Sequence, residues 1–345
     1  MQNIGKYFER GCKACFLIAE VAQTHDGSLG QAYAFVDVVA EAGVDAIKFQ
    51  THIADAESTL DEPFRVKFSR QDRNRYDYWK RMEFTPEQWC GLAKYARSKG
   101  LHFLSSPFSL EAVNLLQKAG IAAWKIGSGE LGNEAMLERI VATRKPVLIS
   151  TGMSTDREIK KVVAFLKREK TVFSLFQATT MYPTPPEKIG LNVLAGYSRQ
   201  FGCPVGLSDH SGTIYPGLAA CALGARFVEV HVTMSRHMFG PDVIASVTME
   251  ELAQLAKGVR FLEIAALNPV KKNSVAKELE TIREIFRRSV VPRTDLPAGK
   301  ILEEGDLILK KPNIGIPASM LKKLYGKKLK RCVCADEFIS LKDLK

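Results

Sequence analysis

No stretch of the chain is apolar for long enough to cross a bilayer, and Met1–Arg10 hold no apolar core of the kind that marks a chain for export. Both absences point to a cytoplasmic chain with no membrane partner. A disulfide framework is missing too, because seven cysteines, an odd number scattered widely, fit reduced thiols better. Cys12-Lys-Ala-Cys15 has no second pair at zinc spacing, and Cys332-Val-Cys334 is a strand-like pair, so neither carries a zinc or redox reading. Internal repeats and low-complexity tracts are absent. So is any basic motif interleaved with aromatics, which leaves nucleic acid without a sequence signal. The formal charge of +11 favours anionic partners, but much of it crowds into the C-terminal tail, from Lys310 and Lys311 through Lys322, Lys323, Lys327 and Lys328 to Lys330 and Arg331. That tail reads as a solvated basic face.

What is present is a rhythm. Short apolar runs rich in β-formers alternate with amphipathic stretches of helical length. The strands are expected at Phe16–Val21, Ala46–Gln50, His102–Ser105, Ala123–Ile126, Val147–Ser150, Val172–Gln177, Val205–Ser208 and Phe227–His231. Between them, Gln31–Ala42, Pro86–Lys99, Leu110–Ala119, Asn133–Thr143 and Arg157–Lys167 carry apolar residues at helical spacing. Alternation of this kind means a parallel sheet. Eight units followed by a long helix, about Met249 to Ala266, predict closure into a (β/α)8 barrel. An open doubly wound sheet is the alternative, and the lack of a GxGxxG turn after the first strand argues against it. The 345 residues fit one such barrel, residues 1–286, and an appendage, residues 287–345, too small to bury much core alone. The turn signal Asp295-Leu-Pro-Ala-Gly299 introduces short strands there.

Every predicted strand ends in polar residues, and the carboxyl-terminal rim is where barrels gather their chemistry. Glu20 ends the first strand; His210 and His231 end the last two, with Asp209 and Glu229 beside them. Two imidazoles flanked by carboxylates suit a divalent cation, although a lone pair of buried histidines is commonly just core. Lys48 and Gln50, two apart, point to one side of their strand, and a lysine inside a barrel needs an anionic or carbonyl partner. Lys125 adds a second cation, and Ser106, Ser128, Ser150 and Ser208 add donors, which together describe a phosphate-and-carboxylate pocket. Any one of these serines could instead cap a helix. Ser150-Thr-Gly-Met-Ser154 has the form of a phosphate loop. The excursion Thr51–Met82 is long enough to be a lid or a substrate clamp, or a purely structural insertion.

Taken in order, Ile18-Ala-Glu20, Lys48-Phe-Gln-Thr51, Phe103-Leu-Ser-Ser-Pro-Phe108, Lys125-Ile-Gly-Ser-Gly-Glu130, Ile149-Ser-Thr-Gly-Met153, Tyr182-Pro183, Gly206-Leu-Ser-Asp-His210, Glu229-Val-His231 and Gly240-Pro-Asp242 resemble the sialic acid synthase family of N-acetylneuraminate and related nonulosonate synthases. The resemblance implies a barrel followed by an antifreeze-like (SAF-type) domain, exchanged across a homodimer into the partner's site. It implies that His210 and His231 hold manganese or magnesium, with Glu20 close by. Lys48, Ser106, Lys125, Ser128, Ser150 and Ser208 would hold phosphoenolpyruvate; Gln50, Glu130, Tyr182 and Asp242 would contact an N-acylated hexosamine resembling N-acetylmannosamine. Glu20 and Glu130 would join the two histidines in catalysis.

Three departures stand out. The family's Asn-His-Asn-Gly is Thr24-His-Asp-Gly27, its Cys-Thr-Ser is Ala178-Thr-Thr180, and Lys311 stands where a sugar-contacting arginine is implied. A lysine lacks the bidentate fork of an arginine, so Lys311 bears on which sugar is recognised. Two rival readings remain at this point: another phosphoenolpyruvate-dependent barrel condensation, and a carbohydrate- or nucleic-acid-binding protein with an inactive barrel.

Overall fold

A computed structural model describes residues 3–9 and 11–345. They form two compact units, Met1–Leu267 and Asn268–Lys345.

Eight parallel strands build the first unit: β1 (Phe16–Ala22), β2 (Ala46–Thr51), β3 (His102–Pro107), β4 (Trp124–Ile126), β5 (Val147–Ser150), β6 (Phe173–Ala178), β7 (Val205–Asp209) and β8 (Phe227–Val232). Each pairs with the next, and β8 returns to pair with β1, so the sheet is closed. A two-residue strand, β9 (Ser246–Val247), extends β8 at the rim. Helices cover the outside: α1 (Leu29–Glu41), then α2 (Ala54–Glu57) and α3 (Arg75–Met82) within the excursion, α4 (Pro86–Ser98), α5 (Leu110–Ala119), α6 (Glu134–Val141), α7 (Asp156–Arg168), α8 (Leu191–Phe201), α9 (Tyr215–Ala222) and α10 (Met249–Leu267). The open-sheet alternative is thereby excluded. No helix among the described residues is long and apolar enough to cross a membrane.

Local chemistry explains the helix boundaries. Thr85 caps α4 in a reciprocal box with Gln88, and Pro86 sits in the first turn, where its missing N–H has no partner to lose. Thr155 and Glu158 do the same for α7, which buries Ile159, Val162, Val163 and Leu166 along one face. Each strand sends alternate residues outward into the helix-facing core, such as Leu17, Ile47, Phe103, Trp124 and Val228.

The inward residues change character with height. On the lower level Phe16, Ile18, Ala46, Leu104, Ala123, Leu148, Phe176 and Phe227 pack into a separate apolar plug. One pleat further along the strands, and therefore on the same face, stand Glu20, Lys48, Ser106, Lys125, Ser150 and Glu229. Gly206 makes room for this plug: a Cβ there would lie 2.8 Å from the Phe176 ring.

The second compact unit opens with α11 (Lys272–Glu278) and α12 (Glu280–Phe286). A backbone hydrogen bond from Asn313 to the Glu284 carbonyl, 2.7 Å, ties this helical pair to the rest of the unit. There β10 (Ser289–Pro292) pairs antiparallel with β11 (Leu307–Lys310) around Val290, Leu302, Leu307, Leu324 and Val333. The basic tail is partly neutralised within its own unit: Lys310 pairs with Asp336, and Arg331 pairs with Asp343 and Glu337, both at 2.7 Å.

Candidate active site

At the carboxyl ends of the strands lies a cavity of about 360 Å³. Its floor is an ionic network resting on the apolar plug. Glu20 receives Lys48 at 2.5 Å on one oxygen and the Gln50 amide at 3.0 Å on the other. Glu229 Oε1 accepts from Lys125 at 3.0 Å and from Ser208 at 2.8 Å, with Lys48 3.9 Å away. Lys48 also donates to Ser106 at 3.3 Å, and the Lys125 ammonium lies 4.9 Å from the centre of the Phe176 ring.

All four charged groups are fully buried, and burial opposes every one of them. For Glu229 the two lysines outweigh burial and hold the carboxyl well below its usual range. For Glu20 burial prevails over Lys48, so its carboxyl lies above the usual range. Burial lowers the Lys125 ammonium despite Glu229, whereas the carboxylates around Lys48 more than offset burial and raise it. Two cations are thus held at one level by two acids, and Glu229 Oε2 is buried without a hydrogen-bond partner among the described residues.

Ser128 and Ser150 meet at 2.8 Å, and Ser128 also accepts the Gly152 amide at 3.1 Å. Gly152 is required for this approach, because a Cβ would lie 2.8 Å from Ser128 Oγ and 2.6 Å from Thr180 Oγ1. The turn after β5 therefore fixes the Ser128 and Ser150 hydroxyls on the cavity wall, with the Gly152 amide spent on holding Ser128. Thr180, one of the departures from the family pattern, lines the cavity with a hydroxyl that has no partner among the described residues.

His210 and His231 face each other with ring centres 5.1 Å apart. His210 Nδ1 donates to the Thr179 carbonyl at 2.8 Å, which leaves Nε2 with its lone pair, 3.0 Å from the Tyr182 hydroxyl that donates to it. The Tyr182 ring stacks on His210 at 4.3 Å. Burial lowers His210 to about 4 and holds His231 well below the usual imidazole range, and His231 Nδ1 has no partner among the described residues. Two neutral imidazoles on one cavity are nitrogen ligands of the kind a divalent cation takes, and among the described residues no cluster of three or more His, Cys, Asp or Glu side chains completes such a site. Asp209, noted in the sequence beside His210, does not complete them: its carboxylate accepts from the Ser211 hydroxyl at 2.7 Å.

The structure brings together on this cavity Glu20, Lys48, Gln50, Ser106, Lys125, Ser128, Glu130, Ser150, Tyr182, Ser208, His210 and His231. Asp242 is not on the lining. It is buried 3.8 Å from Arg65, whose guanidinium stacks 4.1 Å from the centre of the Tyr182 ring. Lys311 belongs to the second unit, where its ammonium lies 4.9 Å from the centre of the Phe286 ring.

Residues that no sequence motif singles out also line the cavity, His52, Glu57, Glu62, Arg75 and Trp79, all from the excursion; beside them stands Phe108, the last residue of the motif that begins at Phe103. The excursion has its own small core of Ala54, Tyr78, Trp79 and Met82 against Phe64, Phe68 and Tyr76. Arg81 fastens it to the turn after β1 by an ion pair to Asp26 at 2.7 Å, and pairs within the excursion with Asp72 at 2.9 Å. This gives Asp26, another departure from the family pattern, a partner.

Comparison with known proteins places the molecule in a class. Residues 35–271 match the NeuB family and residues 287–345 the SAF domain. The chain belongs to the NeuB family, the sialic-acid-type synthases that its motifs resemble. It is 32% identical to N,N'-diacetyllegionaminic acid synthase of Campylobacter jejuni over 95% of this chain and 99% of that one. Identity is also 32% to human N-acetylneuraminate-9-phosphate synthase, over 95% and 92%. Among solved structures, an N-acetylneuraminic acid synthetase from Leptospira borgpetersenii in complex with citrate superposes with a TM-score of 0.68 at 27% identity, covering 78% of this chain and 92% of that one.

Proposed function

We propose that the chain condenses phosphoenolpyruvate with the open-chain form of an N-acylated hexosamine, giving a nine-carbon 2-keto sugar acid and inorganic phosphate. The observation that carries this reading is the buried pair of lysines held at one level by Glu20 and Glu229, on a cavity shared with the Ser128 and Ser150 hydroxyls and two neutral imidazoles. Such a floor suits a small anion carrying both phosphate and carboxylate.

In this reading Lys48, Lys125, Ser106, Ser128, Ser150 and Ser208 bind phosphoenolpyruvate and fix its third carbon facing the mouth. Gln50, Glu130 and Tyr182 orient the sugar so that its aldehyde carbon meets that nucleophile, which turns much of the barrier into prepaid positioning. Asp242 takes part through Arg65 and Tyr182. Attack leaves positive charge at the second carbon, beside the ionised Glu229. The alkoxide left on the former aldehyde carbon takes up a proton, matched by the one that water releases when it adds at the second carbon, and Glu20, whose carboxyl lies above its usual range, is the group that would relay it. Water then adds at the second carbon and phosphate departs with the bridging oxygen. His210 and His231 would hold a manganese or magnesium ion, which supplies Lewis acidity toward the aldehyde oxygen. The SAF-type domain carries Lys311, and exchange between two copies of the chain, as a cytoplasmic homodimer, would bring it to a partner's mouth.

The test tracks the bridging oxygen. Phosphoenolpyruvate labelled there with heavy oxygen should yield labelled phosphate and an unlabelled keto acid when incubated with N-acylhexosamines. Label retained on the organic product would mean phosphorus–oxygen cleavage and would exclude this reaction. Turnover with erythrose 4-phosphate alone would assign the chain instead to a condensation making seven-carbon acids.

A further inference from the structure

The cavity has a second wall that this mechanism does not use. His52 lies two residues beyond Gln50, just past the end of β2, flat between two rings, Trp79 at 3.7 Å and 11° and Phe108 at 4.3 Å and 10°. Its Nε2 faces Gln50 Oε1 at 3.3 Å, and its Nδ1 meets Glu57 Oε1 at 2.6 Å. Glu57, the last residue of α2, is thereby held in place with its side chain only 7% exposed. Its other oxygen, Oε2, is buried and has no hydrogen-bond partner among the described residues. A stationary carboxylate on a cavity wall with an unused acceptor calls for a donor from the ligand.

The neighbours decide what kind of ligand. Glu62 on the same wall is already satisfied: it accepts from the Trp79 indole at 3.0 Å and pairs with Arg75 at 3.3 Å. Arg75 in turn lies 4.9 Å from the centre of the Trp79 ring and pairs through Nε with Glu62, so its one positive charge is offset by Glu62 and leaves the carboxyl of Glu57 uncompensated by it. Glu130 faces the same space; burial raises its carboxyl above the usual range, its hydrogen bond from Asn133 opposes this, and the charge of Glu57 adds to it. The outer wall therefore offers oxygen acceptors and net negative charge, whereas the floor offers paired cations. A hydroxyl or amide N–H is welcome there, and a phosphate group would meet like charge.

We propose that Glu57, positioned by His52, is a sugar-binding residue that makes the chain selective for an unphosphorylated amino sugar over the corresponding sugar phosphate. This rests on the reaction proposed above, and the experiment separates the two. With the full-length protein, manganese and saturating phosphoenolpyruvate, phosphate release is measured with N-acetylmannosamine and with its 6-phosphate. The neutral sugar should have the higher kcat/KM by roughly tenfold or more. Glu57→Gln should raise the KM for the neutral sugar roughly tenfold, leave that for phosphoenolpyruvate unchanged and narrow the discrimination against the phosphate. Glu57→Asp, which keeps the charge but withdraws the acceptor, should raise the sugar's KM while preserving the discrimination. A preference for the 6-phosphate, or an unchanged sugar KM in Glu57→Gln, would overturn the proposal. If neither sugar turns over, calorimetry with the same two compounds decides: tighter binding of the neutral sugar upholds the selectivity and leaves only the reaction in error. Tighter binding of the phosphate, or binding of neither, overturns it.

Discussion

Two levels of the same barrel, one pleat apart, are built on opposite principles. At the lower level Ile18, Ala46, Leu104, Ala123, Leu148 and Phe227 meet as hydrocarbon. Directly above them on the same strand faces stand Glu20, Lys48, Ser106, Lys125, Ser150 and Glu229. The lower set gains stability from packing, at about 25 cal/mol per Å² of apolar surface removed from water. The upper set buries four charges on the cavity floor, and replacing such a network by apolar side chains is often neutral or stabilising. The difference shows which half is shaped by folding and which by the ligand. The strands need no charge at that height to stay together.

Substitutions at each level should separate these roles. The largest effect belongs to the upper level: His231→Ala removes one of two neutral nitrogens, and activity should fall at least roughly a thousandfold while the melting temperature stays near that of the parent. Chelation should silence the parent protein, with manganese or magnesium restoring it; full turnover in metal-free buffer would refute the assignment of the two histidines. Phe227→Ala acts one pleat below Glu229 and should cost about 3–5 kcal/mol of stability in denaturant titration. Its kcat per folded molecule should fall far less than that of the histidine variant. An equal fall would mean that the two levels are not separable. The smallest effect is that of Lys48→Ala, which should raise the KM for phosphoenolpyruvate by roughly ten- to hundredfold, corresponding to about 1.5–3 kcal/mol for a charged hydrogen bond. If only the sugar's KM moves, the floor and the wall have been given each other's ligands.

The inner site is legible in the sequence because strand periodicity and strand ends are local properties. Lys48 and Gln50 share a face by counting alone, and His210 and His231 fall at neighbouring strand ends once eight strands are counted. The outer wall is not legible. Glu57, Glu62, Arg75 and Trp79 lie in a segment with no sustained period, and they face the cavity because Tyr78, Met82, Phe64 and Phe68 form a private core and Arg81 grips Asp26. No spacing in the sequence announces such a long-range grip. The motif around Asp242 suggests a direct contact, yet the structure interposes Arg65 and Tyr182, a stack that only the fold assembles. The strand limits differ from those expected by one or two residues at the carboxyl ends of β1, β2, β3, β6, β7 and β8, where each strand runs on into the rim. Helices α11 and α12 group with the second unit because grouping depends on what a helix touches.

Gly206 ties the two levels mechanically. Its missing side chain admits the Phe176 ring, and that ring is the surface on which the Lys125 ammonium rests. A single methyl at Gly206 would displace the ring and shift the lysine with it, without touching any group that meets a substrate. A random library screened for turnover would then score this position as if it were chemical, and a thermal screen of the same library would score it as packing. Drift at the bottom of the barrel can in this way retune the charge at its top, giving evolution a coarse adjustment that leaves every polar residue of the site in the sequence unchanged.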